Sequence, residues 1–425
     1  MLLKSLKIIS LLWLGSIGSA FFTFAFQVIS ARHFGADNFG IFSSSLGLIT
    51  ILGCLIGFGV SQFWLKAFGE DGWDAYKWIR PSFLFFLLST TIIIIILFIW
   101  SIFFIQNQKE KIVTYILIFH LISIPILELV SSKLQIEERY YELGFWQSLP
   151  SIFRFLLLAS LITTQTTTNI INLAACYIGS SIFIIYFGSK SLYKLYRKDF
   201  KLANYSTTTS TSQKNISELI IESWPFGAAT LFYLIYFQSS IILINQYLGS
   251  ESAGYYSAAF NLLAALYLLP GAIYQKFLMP KIHRWSAFNP EKIYKLYITG
   301  NKIMLAIGIV SAIFIILLGN KAIEIIFGKQ YLPASIVLIT LSISIPFRFL
   351  ASNLAAILTT NNYLKPRIKI MFVAAVINIL ANVLLIPKFG ISGAAWATIA
   401  SEIFLCTAYL LICKKYMNIV KVKMT

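Results

Sequence analysis

Twelve runs of about twenty mostly apolar residues follow one another along the chain, and that succession leaves little choice of fold. In hydrocarbon a backbone must satisfy its own N–H and C=O groups, and about 20 helical residues cross the ~30 Å of a bilayer core. The runs lie at roughly 8–31, 40–63, 81–104, 112–134, 143–163, 169–191, 219–247, 255–279, 296–319, 333–358, 367–387 and 390–413, referred to here as spans 1 to 12. Hydrophobic residues make up 58% of the 425 positions and charged residues 12%, too few to coat a soluble surface between such runs. The expected fold class is an all-α polytopic membrane protein of about 12 transmembrane helices. Span 1 continues to Ala31 without a small-residue cleavage site and reads as a spanning helix rather than a removable signal peptide.

The basic residues assign the two sides. With the N-terminus inside, 25 Lys and Arg fall on the cytoplasmic side and 6 on the other, a bias that places both termini in the cytoplasm. The net charge of +18 is therefore topological, and nucleic acid is not an expected partner. Cys54, Cys176, Cys406 and Cys413 all lie in apolar runs, with no spacing for a metal or a disulfide framework.

Two short stretches repeat. FGADNFGIFSSSL (Phe34–Leu46) and LGSESAGYYSAAF (Leu248–Phe260) match at an offset of 214, with Gly35 over Gly249, Asp37 over Glu251, Gly40 over Gly254 and Ser43 over Ser257. Each lies between two spans and reads as the Gly-punctuated turn of a helical hairpin. Residues 194–216, basic and rich in Ser and Thr, form the longest polar stretch at mid-chain and read as a cytoplasmic linker. The expected organisation is an N-terminal lobe (1–193, spans 1–6), the linker, and a C-terminal lobe (217–425, spans 7–12). Six spans is an even number, so the lobes share one orientation and are expected to be related by a pseudo-twofold along the membrane normal.

Polar residues within the spans are the candidate functional groups. Pro225 should bend span 7, and Pro125, Pro270 and Pro346 interrupt spans 4, 8 and 10. Arg154 and Arg348 both fall near mid-depth, where a charge needs a partner or a wet cavity. Glu402 matches Arg348 in depth, and Glu128 could approach Arg154. Two readings stay open: buried ion pairs that fix packing, or arginines that hold an anionic substrate, for which their planar fork is suited. Glu402, Glu128 and Glu222 are the candidate ion-coupling or ion-pairing acids, and Glu222, one turn into span 7, reads more readily as an exposed first-turn acid. Gln27, Gln238, Asn245, Asn261, Asn353, Asn378 and Asn382 are expected to hydrogen-bond between helices by default. Among them Gln27, Gln238 and Asn261, on spans 1, 7 and 8, are candidate substrate contacts.

No GxxxxGK[ST] loop is present, and Gly188-Ser189-Lys190-Ser191 lacks its spacing, which argues against ATP hydrolysis. No paired carboxylates or nucleophile–base set occupies an external loop, and His33, His120 and His283 are scattered, so neither an enzyme nor a cofactor is expected.

Three motifs taken together point further. Leu248–Ala259, Trp224-Pro225-Phe226-Gly227 and Phe389-Gly390-Ile391-Ser392-Gly393-Ala394-Ala395-Trp396-Ala397-Thr398, with Arg32-x2-Gly35-x4-Gly40 after span 1, resemble the Wzx-type O-antigen flippases of the multidrug/oligosaccharidyl-lipid/polysaccharide exporter superfamily. The resemblance covers nearly the whole chain. It implies a flippase that moves an undecaprenyl-pyrophosphate-linked oligosaccharide, an O-antigen or related surface-polysaccharide unit, across a bacterial inner membrane by alternating access. Membrane lipids, and a polysaccharide polymerase with its chain-length machinery, are the implied partners. Members often carry an acid midway along span 7, in a pattern like Ile-Asp-x-x-x-Leu. Here Ser239 stands at that place, which puts carboxylate coupling through span 7 in doubt. The competing readings are an H+- or Na+-coupled multidrug-type exporter of the same superfamily and a membrane enzyme of lipid-linked glycan assembly. The first would favour acids in the cavity, and the second wants a larger external loop.

Overall fold

A computed structural model describes residues 2–164, 169–200, 214–271, 273, 274, 278, 281, 282, 285, 289–359 and 363–422. Most of the expected linker, and His283, lie outside them. Among the described residues the chain is helical, without a strand. In order the main helices are α1 (Leu2–Leu55), α2 (Val60–Asp71), α3 (Ile79–Phe104), α4 (Gln108–Ile116), α5 (Ile118–Ile136), α6 (Tyr140–Thr163), α7 (Ile170–Tyr196), α8 (Ile216–Leu248), α9 (Ser250–Gly271), α10 (Pro290–Lys295), α11 (Asn301–Phe327), α12 (Pro333–Ser342), α13 (Ile345–Ile357) and α14 (Leu364–Val422). Seven stretches among the described residues are long and apolar enough to cross a membrane, or eight if the bent pair α12–α13 is one span.

Two of these helices are too long for one crossing. At about 1.5 Å per residue, the 54 residues of α1 and the 59 of α14 would each run far past the hydrocarbon thickness. Each is broken at one glycine, Gly35 (φ 77°) in α1 and Gly390 (φ 60°) in α14. Gly249, between α8 and α9, has φ 86°. Gly35 and Gly249 lie in the two stretches read as hairpin turns and Gly390 opens span 12, and a positive φ is the reason for the residue type at all three. At Gly390 the chain doubles back, so that a Cβ on Gly393 would meet the Leu385 backbone.

Contacts group the residues into two compact units. The first comprises Met1–Phe34 and Ser44–Leu234, the second Gly35–Ser43 and Ile235–Thr425. The core of the first gathers Trp64, Ile79, Leu195 and Leu219, all fully buried, around α2, α3, α7 and α8. The Trp64 indole N–H, which burial would otherwise leave unsatisfied, donates to Ser82 Oγ at 3.0 Å. The helical path breaks between Leu55 and Val60, where Gly57 (φ 67°) and Gly59 (φ 79°) turn the chain. Gly59 lies directly on the α8 backbone: a Cβ there would stand 3.0 Å from Gly227 Cα. This break falls within the continuous apolar run of span 2.

In the second unit the two repeated stretches meet. Ser257 Oγ donates to Ser43 Oγ at 3.0 Å, and a side chain on Gly40 would overlap the Ser250 carbonyl just as one on Gly254 would overlap the Ala36 carbonyl. Residues 36 and 250, 40 and 254, and 43 and 257 are each 214 apart. The contact is thus reciprocal between equivalent positions. Of the prolines, Pro225 and Pro125 lie inside α8 and α5, while Pro346 occupies the first turn of α13, just past the 48° bend from α12.

Candidate substrate and ion sites

In the first unit Arg154 extends from α6 among neutral partners. Its Nε donates to Ser180 Oγ at 3.0 Å on α7, Nη2 approaches His120 Nδ1 on α5 at 3.4 Å, and the guanidinium lies 4.0 Å from the Tyr177 ring centroid. His120 and Ser123, Ser123 and Ser181 are bonded in turn at 3.1 and 3.2 Å, so polar side chains of α5 and α7 form one cluster around the arginine. The expected Arg154–Glu128 pair does not form. Among the described residues no carboxylate lies within 4.0 Å of Arg154, and Glu128 accepts from Ser61 Oγ of α2 at 3.2 Å instead. Gln27, on α1, buries its Oε1 without a hydrogen-bond partner among the described residues.

The second unit does contain the pair read from helix depth. Arg348 Nη1 of α13 stands 3.4 Å from Glu402 Oε1 of α14, with the glutamate 1% exposed. Tyr236 of α8 donates its hydroxyl to the same oxygen, and the guanidinium lies 5.3 Å from the Tyr267 ring of α9. Glu402 Oε2 has no hydrogen-bond partner among the described residues. Beside this pair runs a neutral ladder between α8 and α14. Ser239 donates to Asn378 Oδ1 (2.8 Å), Asn378 to Ser401 (3.2 Å) and Asn382 to Ser240 (3.1 Å), while Tyr256 of α9 bonds Thr398 (3.0 Å). Ser239, standing where an acid was looked for, is thus engaged as a neutral donor. Asn353, Asn378 and Asn382 take up the interhelical role expected of them, the first through a 2.7 Å bond to Asn301. Asn261 buries its Nδ2 without a partner among the described residues, and Gln238 is half-buried.

Glu222 pairs with Lys66 at 3.8 Å, and both side chains are close to half exposed, in keeping with a surface acid. The site residues that the sequence did not single out are aromatic or hydroxylic: Tyr177, Tyr236, Tyr267 and Ser61. No periodicity separates them from ordinary core residues. The Gly57-x-Gly59 pair was the available signal for the break near Ser61.

Comparison with known proteins now adds an independent observation. The family described as "Polysaccharide biosynthesis protein" matches residues 5–286, about two thirds of the chain. The chain belongs to this family. A probable low-salt glycan biosynthesis flippase, Agl15 of Haloferax volcanii, is 27% identical over 169 residues, 39% of this chain; the match spans only 36% of that relative's length. Among solved structures, lipid II flippase MurJ in an inward closed conformation superposes with a TM-score of 0.73 at 16% identity, over 97% of this chain and 90% of that one. An inward-facing multidrug resistance transporter of the MATE family in the MOP superfamily gives 0.72 at 13% identity, over 96% of each chain. At such identities these two establish the fold, which the chain shares with both transporters, and its many apolar helices make it a multi-pass membrane protein.

Proposed function

We propose that this family member is a flippase for a polyprenyl-pyrophosphate-linked oligosaccharide, the O-antigen-type unit of a bacterial inner membrane, working by alternating access without catalysis. The observation that carries this reading is Arg154, a cation within a span that has only neutral groups around it. A charge kept at such depth without a counter-charge needs a wet cavity or an anionic ligand, and a pyrophosphate headgroup supplies the ligand. The same observation speaks against a multidrug exporter of lipophilic cations, which would gain from an acid there. Gln27, Gln238 and Asn261 are the proposed uncharged contacts to the sugars, with Arg348 contributing when its pair with Glu402 opens.

The proposed architecture has twelve crossings. The breaks at Gly35 and Gly390 divide α1 and α14, while α4–α5 and α12–α13 each make one broken span. The lobes 1–193 and 217–425, joined by 194–216, would be related by a twofold along the membrane normal, with both termini in the cytoplasm. The reciprocal contacts of 36, 40 and 43 with 250, 254 and 257 support that relation, because equivalent residues touch one another only close to a twofold axis. The test is complementation of flippase-null strains that build defined repeat units. Restoration of a surface glycan by this chain is expected. Failure with every unit, at normal membrane levels, would refute the reading.

A further inference from the structure

Arg154 can engage a headgroup only while its guanidinium stays aimed, and neutral side chains of two other helices hold it. Ser180 directs its own hydrogen to the Tyr177 carbonyl at 3.0 Å, which leaves its oxygen as an acceptor for Arg154 Nε at 3.0 Å. A guanidinium carries five N–H donors and no acceptor, so its second partner, His120 Nδ1 at 3.4 Å from Nη2, has to accept as well. Ser180 stands on α7 and His120 on α5. Together with the Tyr177 ring, 4.0 Å from the guanidinium, they fix its plane.

His120, in the first turn of α5, is itself clamped. Its side chain is buried, its ring meets that of Tyr177 in a T-shaped contact at 4.9 Å and 74°, and Ser123 Oγ lies 3.1 Å from the same Nδ1. Three protonation forms compete for that nitrogen. With the proton on Nδ1 the ring would donate to Ser123, whose own hydrogen has the His120 carbonyl at 2.9 Å and Ser181 Oγ at 3.2 Å to go to. With the proton on Nε2 the ring offers a lone pair to the arginine instead. An imidazolium would set a second cation against the first, and among the described residues no carboxylate lies within 4.0 Å of either group. The charge of Arg154 decides between these forms, since it is attracted by a lone pair and repelled by an N–H.

We propose that His120 is the positioning residue of the Arg154 site, held neutral with its proton on Nε2 so that the bare Nδ1 fixes where the guanidinium points. Its part in transport rests on the flippase reading, but its tautomer can be measured without any glycan. Full-length protein carrying 15N-labelled histidine, in nanodiscs at neutral pH, is observed by solid-state NMR. The chain has three histidines, so the signals missing in His120→Asn assign this one. The expected spectrum shows Nε2 protonated and Nδ1 bare. In Arg154→Met the population should move toward Nδ1–H, which is then free to donate to Ser123. An imidazolium or an Nδ1–H form in the wild type, or a tautomer that ignores Arg154→Met, overturns the proposal. Surface-glycan export then ranks two variants at normal membrane levels. His120→Asn can set an amide oxygen near the place of Nδ1 and should keep most of the export. His120→Phe keeps a ring against Tyr177 but no acceptor, and should lower export about tenfold or more. If His120→Phe exports as well as His120→Asn or better, as a mere packing role predicts, the proposal also falls. A wild type with the expected spectrum that restores no glycan would instead refute the flippase reading alone.

Discussion

Replacing Arg348 by Met tests what compensates the most deeply buried carboxylate of the second unit. Arg348 Nη1 and Glu402 Oε1 are 3.4 Å apart, and Glu402 is 1% exposed. At an effective dielectric of about 20, two unit charges at that separation attract by about 5 kcal/mol. Removing one partner of such a pair costs about 3–5 kcal/mol, because the other charge is left buried, whereas removing both is often close to neutral. Arg348→Met alone is therefore expected to destabilise by about 3–5 kcal/mol, and Arg348→Met/Glu402→Gln to recover most of it, since Gln still accepts from the Tyr236 hydroxyl. The measurement is a double-mutant cycle on purified protein, from equilibrium unfolding in mixed micelles followed by tryptophan fluorescence. A single variant within about 1 kcal/mol of the wild type would refute the reasoning, since some other group would then be balancing Glu402. Surface-glycan export in the same strains separates the two roles of the arginine. A double variant that is stable but silent in export would show that Arg348 also acts on substrate.

Arg154→Ala should abolish export while leaving membrane insertion intact, and Arg154→Lys should rescue only part of it, because an ammonium cannot reproduce the planar fork; full export by the Ala variant at normal expression contradicts this. Gly40→Ala and Gly254→Ala should each destabilise by about 1–3 kcal/mol in unfolding experiments, and by similar amounts, since each Cβ would overlap a backbone carbonyl that cannot turn aside. Gly18→Ala, with nothing within 4 Å of its added Cβ, serves as the control and should be neutral or stabilising in the same assay. Lys66→Ala should change stability by less than about 1 kcal/mol, because the Lys66–Glu222 pair spans 3.8 Å with both side chains close to half exposed; a larger loss would mean the pair is better shielded than it looks.

What was legible in the sequence follows from which physical constraints act locally. A turn that demands positive φ writes a glycine, so the turns at Gly35 and Gly249 could be read directly, and Gly390 shows the same signature at the boundary of spans 11 and 12. Depth in the membrane is also written linearly, at about 1.5 Å per residue, and it matched Arg348 with Glu402 correctly. Depth alone misled at Arg154. On α5 the residue that meets it is His120, and Glu128 lies eight residues farther on, about 12 Å along the axis, where it accepts from Ser61 of α2. The break at 56–59 was hidden for a different reason: Ile56 and Phe58 keep the run apolar, and hydropathy does not register backbone geometry.

The charges within the spans divide unevenly between the units, and the division has a consequence. In the second unit the polar ladder of Ser239, Asn378, Ser401, Asn382 and Ser240 is neutral, and such bonds average only about 0.6 kcal/mol each in a membrane, so they fix helix packing without holding an ion. Arg348 and Glu402 offset one another there. In the first unit Arg154 and Glu128 each lack an opposite charge within 4.0 Å among the described residues. Arg154 keeps its bond to Ser180 and its place on the Tyr177 ring, but no counter-charge offsets the desolvation of its own charge. Arg154→Met should therefore cost less stability than Arg348→Met, which strands a buried carboxylate. On the flippase reading, a charge kept without a counter-charge at a cost to stability marks a group that acts on the cargo, which is the role proposed for Arg154.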